Sequence, residues 1–128
     1  MTGENIETIQ QIYEAFAHQD FEDLLSLVDF DCVVTQDASL PWGGRYVGRA
    51  GVTDFALAMI GAIDSSVTVE SLFEADGQVI QSGRTKGTVR ANGNAFDMAE
   101  VHLWTSKQGK VVAAHFAIDT AAMLAALA

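Results

Sequence analysis

The sequence is short of cysteine, proline and positive charge. Its one cysteine, Cys32, rules out an internal disulfide and a cysteine-based zinc cluster. Set among Phe30, Val33 and Val34, it reads as a buried thiol filler. Seven Lys and Arg stand against seventeen Asp and Glu, a net charge of −10. That is the wrong sign for gripping a nucleic-acid backbone or an anionic membrane surface. The acids are spread along the chain, as on a well-hydrated surface. No apolar run reaches the roughly 20 residues that span a bilayer, and the polar start Met1-Thr2-Gly3-Glu4-Asn5 has neither a basic flank nor a hydrophobic signal region. A cytoplasmic protein is expected. The 128 residues suit one domain, residues 1–128, which buries roughly two-thirds of its unfolded surface.

What is present is periodicity, first helical and then of period two. Ile6, Ile9, Ile12, Tyr13 and Phe16 form one stripe of a helix over about 5–18. Asp20 can cap a short second helix with Phe21, Leu24, Leu25 and Val28 turned inward, and Asp23 completes a weak capping box. Phe30 to Gln36 is β-prone. The stretch Asp37 to Arg45, holding the lone Pro41 and the pair Gly43-Gly44, resists regular structure. A third helix fits Ala50 to Ala62. Beyond it, Val67, Val69, Ser71 and Phe73 share one strand face before the turn pair Asp76-Gly77. Val79 to Val89 alternates as far as a second hairpin signal, Asn92-Gly93. Ala95 to Thr105 and Val111 to Ile118 follow, joined through Lys107-Gln108-Gly109-Lys110, and Asp119 or Thr120 can cap a last helix. The order ααβαββββα predicts an α+β fold with helices packed on one face of a curved, mainly antiparallel sheet. Gly83 and Gly87, inside a strand, either permit bending around a cavity or are ordinary flexible positions.

Glu100 and His102 lie two apart in the strand that carries Phe96, Met98 and Trp104, so all five share the apolar face. A carboxylate there loses hydration and must be paired, protonated or engaged in chemistry. The histidines His18, His102 and His115 lack metal-ligand spacing, and Gly43-Gly44 lacks the ending of a phosphate loop. Neither a metal nor a nucleotide cofactor is expected.

Three stretches carry a family resemblance. They are Ile9 to Asp20, Trp42 to Val52, and Val101-His102-Leu103-Trp104 with Gly109 to Val112 and Ile118-Asp119-Thr120. Together they resemble the SnoaL-like and ketosteroid-isomerase-like members of the nuclear-transport-factor-like cone fold. The resemblance implies three helices on a strongly curved mixed sheet, an open conical cavity between them, and commonly a homodimer. Family functions run from isomerisation, cyclisation and hydration to plain binding and protein interaction.

Carried over by position, the isomerase's general base is matched most nearly by Asp37 and its acidic hydrogen-bond donor by Glu100. The phenolic donor falls at Ile12, one residue from Tyr13. The pocket histidine of the cyclases matches His102, and their catalytic aspartate aligns with Phe116. Two accounts remain open. In one, a cofactor-free isomerase or cyclase acts on a small hydrophobic carbonyl compound: Asp37 moves a proton, Glu100 and His102 stabilise the enolate oxygen, and Tyr13, Trp42, Tyr46, Phe55, Met59, Met98, Trp104 and Phe116 supply a dry wall. In the other, Asp37 caps its own turn, Glu100 is a paired buried acid, Trp42 and Tyr46 staple the long loop, and the protein is a noncatalytic pocket or dimeric interaction module.

Overall fold

The computed structural model describes residues 2–128, so Met1 of the polar start lies outside the described residues. Helix α1 (Thr2–Ala17) carries Glu4 in its first turn, where a negative charge favours the helix dipole. It closes at Gln19, whose φ of 54° lets the Asp20 N–H reach back to Ala15 O and the Gln19 N–H to Phe16 O. Asp20 then caps α2 (Phe21–Ser26), its side chain accepting from the Asp23 N–H as the spacing predicts.

Strand β1 (Val28–Gln36) leads through the loop into β2 (Gly44–Val47) and α3 (Gly48–Ala62). The remaining strands are β3 (Ile63–Ala75), β4 (Gln78–Val89), β5 (Ala95–Lys107) and β6 (Lys110–Ile118), and α4 (Thr120–Leu127) ends the chain. They form one six-stranded sheet in the order β2-β1-β6-β5-β4-β3. Neighbours run antiparallel except β1 and β6, which are parallel. The expected meander is therefore present. Strand β2 is an addition: four residues beside paired glycines carry too little alternation to be read as a strand. Among the described residues no helix is long and apolar enough to cross a membrane.

Two hairpins use two-residue turns with both residues at positive φ, Asp76-Gly77 and Gln108-Gly109. The third differs. Val89 N–H bonds Asn94 O, so Arg90 to Gly93 form a four-residue loop and Asn92-Gly93 supplies only its second half.

Strand β3 also departs from its expected face. Its pairing with β4 shifts by one residue between Val69 and Ser71, and a one-residue bulge exchanges the two faces of a strand. Val67 stays inward; beyond the shift Phe73 is exposed and Leu72 packs against the core in its place, while Val69, before the shift, keeps the face of Val67 and is nonetheless exposed.

The core lies between the sheet's concave face and the helices. Ile9 and Ile12 from α1, Val52 and Phe55 from α3, and Met123 from α4 meet Val34, Val79, Trp104 and Val111. The loop after β1 joins them. Two successive turns, Leu40 N–H to Asp37 O and Gly43 N–H to Leu40 O, fold it so that Leu40 and Trp42 are buried. A Cβ at Gly43 would overlap Asp37 O, which explains a glycine at that close approach.

Candidate functional site

The parity of β5 is as the sequence predicts: Phe96, Met98, Glu100, His102 and Trp104 are all buried. Strand registers then assemble a row. Gln36 of β1 lies beside Phe116 of β6, Phe116 beside His102 of β5, and His102 beside Gln81 of β4. All four turn toward the helices, where Tyr13 of α1 meets His102 and Gln81.

A hydrogen-bonded network results. Trp104 Nε1 donates to Tyr13 Oη at 3.0 Å, and the hydroxyl lies 2.7 Å from His102 Nδ1. The Trp104 indole and the Gln81 amide, at 3.0 and 3.3 Å, both donate to Tyr13 Oη and fill its two lone pairs, so Tyr13 gives its single proton to Nδ1 and the imidazole carries its own on Nε2. That nitrogen lies 3.4 Å from Glu100 Oε1, while Gln81 Nε2 donates to Glu100 Oε2 at 2.6 Å. Gln81 Nε2 also lies 3.3 Å from Tyr13 Oη and 3.2 Å from His102 Nδ1. The Gln81 side chain is fully buried and its Oε1 has no partner among the described residues. Such an orphan costs about 1–3 kcal/mol, so holding Glu100 comes at the expense of stability.

Burial sets the ionisation of the group. It pushes the Glu100 carboxyl up to about 7, against the opposing pull of the Gln81 hydrogen bond, and drives His102 down to about 3. Burial likewise raises the Tyr13 hydroxyl above its ordinary range. Near neutrality, then, His102 is uncharged and Glu100 divides between acid and carboxylate.

Next to this network is a cavity of about 120 Å³ with largely apolar walls. Tyr13, Trp42, Phe55, Met59, Glu100, His102, Trp104 and Phe116 all line it. Phe116 stacks on Phe55 at 5.4 Å between ring centres and meets the His102 ring edge-on at 4.8 Å. Cys32 also borders the cavity, fully buried, with burial pushing its thiol up to about 11, a poor nucleophile.

Three site residues expected from the sequence are placed elsewhere. Asp37 is exposed, its Oδ1 accepting from the Ser39 N–H at 2.9 Å and the Ser39 hydroxyl at 2.6 Å. Those bonds hold its carboxyl below its usual range and make it a turn cap outside the cavity wall. Tyr46 is half-buried against Phe55 and donates to Trp42 O at 3.0 Å, stapling the loop. Met98 is buried beside Ala122 and Ala126 of α4, away from the cavity. Among the described residues no three His, Cys, Asp or Glu side chains gather as a metal site.

Sequence reasoning missed Gln81 and Gln36. The signal for Gln81 was the loop length before β5: a two-residue turn at Asn92-Gly93 would have set Gly83 opposite His102, and the four-residue loop brings Gln81 there instead. Gln36 was visible as the end of a strand but not as part of the row, because a parallel pairing leaves no local mark.

The Glu100–His102 pair has a thermodynamic consequence. Folded, it holds one proton between pH about 3 and about 7; unfolded, Glu loses its proton near 4.5 and His near 6.5. From pH 4.5 to 6.5 both states hold one proton, and the pair leaves stability flat. Below 4.5 the unfolded pair binds a second proton that the folded pair refuses, so stability falls by about 1.4 kcal/mol per pH unit, roughly 2 kcal/mol by pH 3. Urea unfolding across this range checks it. In His102→Gln the acid loss assigned to this pair should vanish, and an unchanged acid limb would contradict the assignment.

Comparison with other proteins agrees with this architecture. A crystal structure of an NTF2-like protein of unknown function from Burkholderia pseudomallei superposes with a TM-score of 0.90 at 23% identity, covering 97% of each chain. TerC, co-crystallised with polyporic acid, gives 0.88 at 23% identity over 97% of this chain and 98% of its own. A putative polyketide cyclase from Xanthomonas campestris gives 0.87 at 17% identity over 99% and 98%. No functionally curated protein matches the sequence. The sequence model of the SnoaL-like domain matches residues 9–114, most of the chain and every element of the site from Tyr13 to Trp104, and the protein belongs to that family.

Proposed function

We propose that the cavity binds a small hydrophobic carbonyl compound and that Glu100 moves a proton on it without a cofactor. The carrying observation is a carboxyl 97% buried in an apolar wall, with burial setting its proton affinity close to neutrality. A general acid or base works best with a pKa near the working pH. Glu100 as carboxylate takes a proton from carbon next to the carbonyl and, as the acid, returns it to another atom of the same enolate. Neutral His102 donates from Nε2 to the enolate oxygen. Tyr13 touches no reacting atom in this scheme and fixes the imidazole tautomer. Phe55, Met59, Trp104 and Phe116 keep water out.

The likeness to a putative polyketide cyclase and to a protein crystallised with polyporic acid supports a small organic ligand. It leaves the reaction unspecified, since a shared fold hosts many chemistries. One observation favours a second reading, noncatalytic binding in the same cavity: Asp37 lies outside, and Glu100 is the one carboxyl on the wall among the described residues. Deuterium exchange separates the two. Simple ketones incubated with the protein in heavy water are expected to gain deuterium next to the carbonyl faster than in buffer, read by proton NMR. Saturable binding with no added exchange would leave the noncatalytic reading.

A further inference from the structure

The second polar place on the cavity wall is Gln36, two strands away from Glu100 and His102. The residue is 93% buried and lines the cavity. Trp42 Nε1 donates to its Oε1 at 2.8 Å, and because an indole nitrogen only donates, the amide cannot be turned round. Its Nε2 is thereby left as a donor for which no described residue serves as acceptor. That nitrogen is not among the solvent-sealed atoms without a partner, so it keeps accessible surface on the cavity side and can donate to an acceptor that a ligand brings.

The geometry of the row states what such a ligand looks like. Gln36 and His102 both pair with Phe116, from opposite sides, so their Cα atoms stand two strand spacings apart, about 10 Å. Between them lies the Phe116 ring, itself backed by Phe55. The two ends are polar and the middle is an aromatic surface. A cavity of about 120 Å³ admits no more than one ring, given that an apolar cavity of about 150 Å³ takes up benzene.

Resting on the reading of the cavity as a small-molecule site, we infer that Gln36 determines specificity, and that the ligand is a one-ring compound with an oxygen at each end: a carbonyl accepting from Gln36 Nε2 and a second oxygen meeting Glu100 and His102. Each end alone is insufficient. A ligand with one oxygen satisfies either Gln36 or the Glu100 end and leaves the other donor unpaired.

The test compares cyclohexanone with 1,4-cyclohexanedione, the same ring with one carbonyl or two across from each other, by titration calorimetry on the full chain. The dione is the more water-loving of the two, so apolar burial alone favours cyclohexanone. We expect the dione to bind about 10-fold tighter, the effect of one added hydrogen bond inside a largely apolar cavity. In Gln36→Met that preference is expected to fall below about 2-fold. Because Gln36→Met strands the Trp42 N–H, the double variant Gln36→Met/Trp42→Phe, which removes both partners, is measured beside it and should show the same loss. Cyclohexanone binding with no advantage for the dione, or an advantage that survives in both variants, overturns the role of Gln36 and leaves the cavity reading standing. Binding of neither ketone overturns both.

Discussion

Replacing Glu100 by Gln should lower ketone α-hydrogen exchange by about 100-fold or more, the usual contribution of a positioned general base. The substitution keeps the shape of the side chain and an acceptor for Gln81 Nε2, which lies 2.6 Å from Glu100 Oε2, so binding should persist while proton transfer stops. The pH dependence carries the same assignment. The base is the carboxylate, and burial holds its pKa at about 7. Exchange in the wild type should therefore rise with pH through about 7 and level off above it. The Gln variant should show a flat remnant. Asp37→Asn should leave the profile in place, because Asp37 is exposed and bonded to its own turn. A Glu100→Gln protein that exchanges at the wild-type rate would falsify proton transfer by Glu100. Loss on Asp37→Asn alone would restore the exposed acid.

Local rules carried much of this site. Period-two alternation placed Glu100 and His102 on the buried face of β5, since side-chain parity needs no knowledge of the partner strands. The caps at Asp20 and Asp119 were legible for a similar reason: each accepts from the N–H three residues on. What the sequence hid was set by residues distant along the chain. Gln81 reaches His102 through a loop of four residues where two were signalled. Met98 and Trp104 are alike by parity, yet α4 covers one while the cavity borders the other. Asp37 had two open roles, and Ser39, two residues away, decided for the turn. The resemblance to cone-fold proteins pointed to β5, and Glu100 and His102 of that strand line the cavity. Its match for the base, Asp37, lies outside the cavity wall, because an acid following the first strand faces inward only if the loop delivers it there, and this loop sends Trp42 inward instead.

Gly83 and Gly87 join the curvature of the sheet to the site. Neither is among the residues at positive φ, so what they supply is space. A Cβ at Gly87 would lie 1.9 Å from Asp64 O, and one at Gly83 would lie 2.0 Å from Thr68 O and 2.4 Å from Gln81 Oε1. Strand β3 is pressed onto β4 at these two points, and Gly83 adjoins the bulge that reverses its faces between Val69 and Ser71. Backbone cannot retreat as a flexible side chain does. Alanine at either position should cost about 3 kcal/mol or more and lower the melting temperature by roughly 10 °C. The two variants should then part ways. Gly87→Ala meets only β3 backbone, so the protein that remains folded should bind ketones as the wild type does. Gly83→Ala also displaces Gln81, whose Nε2 holds Glu100 Oε2, so its folded fraction should show weakened ketone affinity and a shifted exchange pH midpoint. Thermal unfolding and exchange profiles on both variants check this. Equal profiles would mean that Gln81 adjusts freely, and that the bend in the sheet and the ionisation of Glu100 are independent.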